Sequence, residues 1–190
     1  MTTPRAARPE DAAELVRLRR LMFLAMNGRA EPGRWERNAE AVARRQLAGP
    51  DAPLTAFVVD GEADGPGADG PHLAACALGR IDERLPSPVN PTGRVGFVFN
   101  VCTDPRYRGR GYARAATQAL VAWFARQGVG RIDLHATDAA EGLYRSLGFT
   151  EHAIPLSLKL GPRPDGADAA MGAAPATDAH AASGADAAAG

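Results

Sequence analysis

Cysteine is scarce in this chain of 190 residues: there are two, Cys76 and Cys102, and both lie in apolar, strand-like runs. Neither stands at metal-ligand spacing from a histidine, so no metal site is expected, and both read as small buried hydrophobes in a reducing compartment. Long apolar runs are missing as well. None approaches the ~18 residues of a membrane span, and the N-terminus has no apolar signal-peptide core, so no membrane partner and a cytoplasmic location are expected. Net charge is also absent, with 22 Lys and Arg against 22 Asp and Glu. From Gly161 onward Asp165, Asp168, Asp178 and Asp186 face only Arg163, which leaves about +3 on the preceding part. That excess is too small for nucleic acid, which is bound by neutralising many phosphates, and it suits a site for one small polyanion.

The chain is long enough for one well-filled core, and its composition divides it into a domain over 1–160 and a tail over 161–190. The tail is rich in Ala, Gly, Asp and Pro, with Met171 its only sizeable apolar side chain, so it is expected to be disordered. In the domain, Pro9-Glu10-Asp11 opens a helix in which Leu15, Leu18, Met22, Ala25 and Met26 recur at helical spacing until Asn27-Gly28 stops it. A weaker helix follows over 34–48, with Trp35, Ala39, Val42 and Leu47 facing inward. Strands are expected over 54–59, 73–81, 95–103, 131–135 and 154–160, and helices after Gly111 and over 138–147. The order strand, helix, strand around Gly111 implies one parallel pair inside an otherwise antiparallel sheet.

Residues 101 to 113 read Val-Cys-Thr-Asp-Pro-Arg-Tyr-Arg-Gly-Arg-Gly-Tyr-Ala: a strand, a proline break, a basic glycine-rich turn and a helix start. Glycines at 109 and 111 let the backbone approach a ligand, and the N–H groups freed at the helix start act as anion donors. A pyrophosphate suits such a turn. A dinucleotide-binding Rossmann unit is disfavoured, because the first strand-turn-helix comes after residue 95 and no ribose-binding acid follows at the needed distance.

Two segments carry a resemblance to a known family. Arg108-Gly109-Arg110-Gly111-Tyr112-Ala113 matches an Arg/Gln-x-x-Gly-x-Gly/Ala signature and follows Thr-x-Pro-x-Tyr at 103–107; Leu143-Tyr144-Arg145-Ser146-Leu147-Gly148-Phe149 matches a Leu-Tyr-x-x-Leu-Gly-Phe ending. A second register, Arg106 to Gly111, also satisfies the first pattern, and the Pro105 and Tyr107 spacing favours the one starting at Arg108. Together the segments resemble the GCN5-related N-acetyltransferase (GNAT) superfamily over about residues 5–160. The fold so implied is α+β: a mixed, mostly antiparallel sheet with a splayed parallel pair and about four flanking helices.

The resemblance also implies roles. The backbone of Val101, Cys102 and Thr103 would pair with the pantetheine arm of acetyl-CoA like an added strand. Amides from Arg108, Gly109, Arg110, Gly111, Tyr112 and Ala113 would hold its pyrophosphate, with Arg106 and Arg114 adding charge. Thr137 falls where many members have a cofactor-contacting asparagine. Tyr144 falls near the thioester sulfur, where its phenol can protonate the leaving thiolate; the alternative is a tyrosine that only closes the core. Asn100 would orient a water or the substrate. The strand over 95–103 has no carboxylate, so the base is open among Glu31, Glu36, Asp82, Glu83 and a water-mediated route, and His135 reads as structural. The implied activity is direct acetyl transfer from acetyl-CoA to a primary amine, a small molecule, by a monomer or homodimer. The alternative is a non-catalytic acyl-CoA-binding module. Relatives usually add two strands after Gly-Phe, and this chain has room for about one.

Overall fold

The structure, a computed structural model, describes residues 3–49, 52–62, 70–152 and 156–158. Its first element is a two-residue strand, β1 (Arg5–Ala6), too short to announce itself by alternation in the sequence. Arg5 anchors it through ion pairs to Asp11 at 2.8 Å and Asp60 at 2.7 Å. Pro9–Asp11 then turns as a 3-10 helix, with Asp11 accepting the Arg8 amide, and feeds α1 (Ala12–Asn27). Gly28 ends α1 in the left-handed region, φ 70°. Leu15 and Leu18 face the core as the spacing predicts, while Ala25 and Met26 are exposed on the last turn. Helix α2 (Arg34–Gln46) keeps the expected face at Trp35 and Ala39, half-buried, and at Leu47 just after it, buried, but Ala43 is buried there in place of Val42, which is exposed.

The remaining elements are β2 (Thr55–Asp60), β3 (Leu73–Glu83), β4 (Arg94–Thr103), α3 (Tyr112–Arg126), β5 (Ile132–Leu134) and α4 (Asp138–Arg145). The strands form one sheet in the order β1-β2-β3-β4-β5, antiparallel except for β4–β5, which is parallel. This is the mixed α+β architecture that the strand order and the resemblance imply. Alternation on β3 divides the core: Cys76 and Leu78 pack with Leu15 and Leu18 of α1, and Ala75 and Ala77 with Leu120 and Phe124 of α3. The two helices therefore cover opposite faces. Phe124 lies over two glycines, since a Cβ on Gly79 or Gly96 would meet its ring at 2.7 or 3.0 Å.

Two irregularities position the site. Cys76 pairs with Cys102 but Leu78 with Phe99, so Ala77 faces both Asn100 and Val101, a bulge with Asn100 at φ 48°. Asn tolerates that left-handed conformation better than a β-branched residue, and a bulge bends its strand. The β4–β5 pairing, in turn, runs only from Gly96↔Ile132 to Val98↔Leu134. Beyond it, Phe99–Thr103 has no partner strand on that edge among the described residues, which is the splay implied for the parallel pair.

Of the final strand expected over 154–160, only 156–158 is described, without strand structure; the rest, and the tail over 161–190, lie outside the described residues, as does 63–69 of the loop before β3. Among the described residues no helix is long and apolar enough to cross a membrane.

Candidate functional site

After β4, Asp104 caps a 3-10 turn, Pro105–Tyr107, by accepting the Arg106 amide at 3.0 Å. The chain then passes through Gly109 (φ 76°) and Gly111 (φ 79°) into α3. Among the described residues no atom lies within 4 Å of a Cβ added at either glycine, so the left-handed backbone rather than crowding requires them here. Within this turn, the amides of Gly109, Arg110, Gly111, Ala113 and Arg114 donate to no group among the described residues. They are the donors that a helix start leaves unspent, at the positive end of the α3 dipole.

A cavity of about 290 Å³ opens there, lined by Thr103, Arg108, Gly109, Gly111, Tyr112 and Ala113 among others, with Leu143 of α4 opposite. Most of the predicted cofactor residues thus converge. Arg108 makes no ion pair among the described residues, whereas Arg106 is held by Asp104 at 2.9 Å, so the register starting at Arg108 is the one with a cation to spare. Arg110 turns toward Glu62, at 2.9 Å, and over the Tyr107 ring. Tyr107 is itself buried, bonded to His72 Nε2 at 2.7 Å and stacked on Tyr112. Val101 packs on the α3 side, and the Cys102 side chain points into the α1-side core.

Below the turn lies a network that sequence reasoning missed. Asp104, 3% exposed, takes Arg17 Nη1 at 2.6 Å as well as Arg106. Arg17 also bonds Glu14 and the Leu73 carbonyl, and Glu14 accepts the Leu73 amide at 2.8 Å. Burial alone would raise the Asp104 carboxyl, but the Arg106 side chain and amide, together with Arg17, outweigh it and hold the group well below the usual carboxylate range. The signal was present: Asp before Pro is an N-cap followed by a first-turn proline.

Tyr144 is buried, and its aromatic contact explains the Leu-Tyr-x-x-Leu-Gly-Phe segment. Gly148 (φ 92°) donates to Arg145 O, and the Phe149 amide reaches back to Tyr144 O at 3.1 Å, a Schellman cap. The rings of Tyr144 and Phe149 meet edge to face at 5.9 Å, the apolar contact that accompanies such caps. Among the described residues the Tyr144 hydroxyl has no hydrogen-bond partner, and burial pushes its pKa up, so the phenol keeps its proton at neutral pH. Thr137 is exposed at the N-cap of α4, where its carbonyl accepts two helix amides and its hydroxyl caps nothing. Asn100, on the bulge, is held by Arg19 Nη1. His135 packs edge-on against Phe97.

The pattern of the acetyltransferase (GNAT) family matches residues 20–149, more than half of the chain and including both signature segments. The chain belongs to the GNAT acetyltransferase family. Solved structures share the GNAT fold at low identity. A predicted acetyltransferase with acetyl-CoA from Clostridium acetobutylicum is 23% identical, with 84% of this chain and 96% of that one covered at a TM-score of 0.67. A GCN5-related N-acetyltransferase from Ralstonia eutropha JMP134 is 22% identical over 85% and 100%, at 0.66. Glucosamine-6-phosphate N-acetyltransferase from Arabidopsis thaliana is 17% identical over 85% and 99%, at 0.63. No curated protein matches this chain in sequence.

Proposed function

We propose that this GNAT chain is an acetyl-CoA-dependent N-acetyltransferase that passes an acetyl group directly to a primary amine. The observation that carries the reading is the continuity of an open strand edge with unspent donors: the β4 edge over Phe99–Thr103 leads into the turn whose amides at 109–111 and 113–114 have no acceptor among the described residues. The first suits the amide-bearing pantetheine arm, paired through the backbone of Val101, Cys102 and Thr103. The second suits the pyrophosphate, held by Arg108 to Ala113. Thr137 offers one more hydrogen bond from the start of α4. The thioester supplies an activated acyl carbon. A C–N bond forms to it as the C–S bond breaks, the Tyr144 phenol gives its proton to the departing thiolate, and the amine proton leaves to water. No carboxylate on β4 competes for that last step, which favours a water route beside Asn100.

The test follows free thiol while the protein, acetyl-CoA and an amine panel are incubated. Turnover is expected, and Tyr144→Phe should lower kcat about 100-fold with the CoA Kd unchanged. The absence of a β4 carboxylate equally suits a non-catalytic acyl-CoA binder, and tight CoA binding without thiol release for any amine would establish that reading instead.

A further inference from the structure

A cation without a counter-ion among the described residues stands beside the β4 bulge. Arg19 lies on α1, half-buried, with Nη1 donating to Asn100 Oδ1 at the β4 bulge and its guanidinium 4.8 Å from the centre of the Phe23 ring. It forms no ion pair among the described residues, unlike Arg17 and Arg20 beside it on the same helix. Burial pulls its pKa below the usual value with nothing raising it again, though a guanidinium remains charged at neutral pH. Further rings lie beyond Phe23 and along β4. Phe23 meets Trp35 of α2 edge to face at 5.8 Å, and along β4 Phe97 stacks with Phe99 under Arg80.

Two of the other charges along this strip are paired. Arg80 is paired with Asp82 at 2.8 Å, and Glu36 is taken by the Gly33 amide and Arg20. The acidic side chains expected near the acceptor are therefore spent on protein partners or, like Glu31 and Glu83, exposed. An amine with no other charge, or a polyamine, would approach Arg19 with no compensation. An oxyanion would find a planar fork of N–H donors fixed by an asparagine and an aromatic ring, in a partly desolvated place where a charge-assisted pair is strong.

We propose that Arg19 is the specificity residue of the acceptor site and that the acceptor is a primary amine bearing an oxyanionic group, a carboxylate or a phosphate, held by the Arg19 guanidinium beside Asn100. This rests on the acetyl-transfer reading above. The amine then lies near the bulge and the oxyanion toward α1, with the apolar body of the acceptor against Phe97 and Phe99.

The experiment measures kcat/KM by thiol release for two matched pairs, glycine with glycinamide and phosphoethanolamine with ethanolamine, and for spermidine. Wild-type protein is compared with Arg19→Gln and Arg19→Lys. Because the anion also alters the acceptor amine's own pKa, the readout is the change in the anionic-to-neutral ratio within a pair. Arg19→Gln should lower that ratio about 30-fold, with partial recovery in Arg19→Lys. The pair with the larger loss tells carboxylate from phosphate. Calorimetry of the same amines on CoA-saturated protein gives the ratio independently of turnover.

An equal loss for both members of each pair would mean that Arg19 only holds Asn100, and would overturn the proposal. So would a wild-type preference for spermidine or the neutral amines, or no binding of either anionic amine to the CoA complex. Those failures leave CoA binding intact. A wild-type protein that does not bind CoA overturns the acetyl-transfer reading, and this one with it.

Discussion

Asp104→Asn removes one charge from the joint between β4, α1 and the glycine turn, and its cost can be worked out from the contacts. The Asp104 side chain is 4% exposed, and its partners Arg17 and Arg106 are 24% and 36% exposed. The amide keeps the shape but turns one acceptor oxygen into a donor facing guanidinium N–H groups. Breaking a fully buried ion pair costs about 3–5 kcal/mol. Here Arg17 keeps Glu14 at 2.9 Å and both arginines reach water, which brings the cost to about 2 kcal/mol. For a chain of this size that lowers Tm by about 6 °C, read by calorimetry at neutral pH. The pH dependence gives a second check. A carboxyl held well below its ordinary value stabilises fully above the unfolded value of about 4, and the stabilisation is lost as pH falls from there toward the native value. The gap between wild type and variant must therefore close on acidification. A gap under about 1 °C at neutral pH, or one that widens as pH drops, refutes the reasoning.

Three further outcomes follow from the same geometry. Gly79→Ala puts a Cβ 2.7 Å from Phe124 Cζ and 3.1 Å from Leu120 Cδ2, so urea unfolding should show a loss of about 1–3 kcal/mol, part of which Phe124→Leu in the same chain restores. Gly111→Ala meets no atom within 4 Å but must hold φ near 79°; about 1 kcal/mol of stability goes, and CoA titration should show a larger loss in binding as the donor amides are re-aimed. Cys76 and Cys102 are both buried, and burial pushes Cys102 up to about 11 and Cys76 still further, so a thiol reagent should leave the native protein unlabelled at neutral pH and react with both thiols once it is denatured.

The glycine turn and the strand-helix-strand order were legible because their constraints are local. A left-handed φ at Gly109 and Gly111, a proline after Asp104 and a glycine after α4 each leave a mark on neighbouring residues. Tyr144 was legible through its motif, yet the structure adds a second reason for the spacing: Tyr144 and Phe149 are the two ends of one helix cap. The burial of Ala43 in place of Val42 on α2 was not legible, since the two differ too little in the pattern to choose between them and the choice depends on what α2 meets. β1 has only two residues, and its pairing with Val58 and Phe57 comes from a strand about fifty residues away. Glu31 and Glu36 as candidate bases followed from their place in the chain alone. The structure gives Glu36 to Arg20 and the Gly33 amide, and leaves Arg19 without a carboxylate partner among the described residues.

The sequence by itself determined the family-bearing turn, the helix cap that carries Tyr144 and the antiparallel strands with one parallel return, because each is written in residues close together along the chain. Only the tertiary structure decided which charges are spent. Arg106, Arg108 and Arg110 look alike in sequence, yet one is bound to Asp104, one faces the cavity and one reaches Glu62. Arg17, Arg19 and Arg20 are likewise near neighbours on one helix, and only Arg19 is left without a carboxylate among the described residues. Ion pairing depends on distances between segments far apart in the chain, and those distances exist only once the sheet has brought β4 against α1.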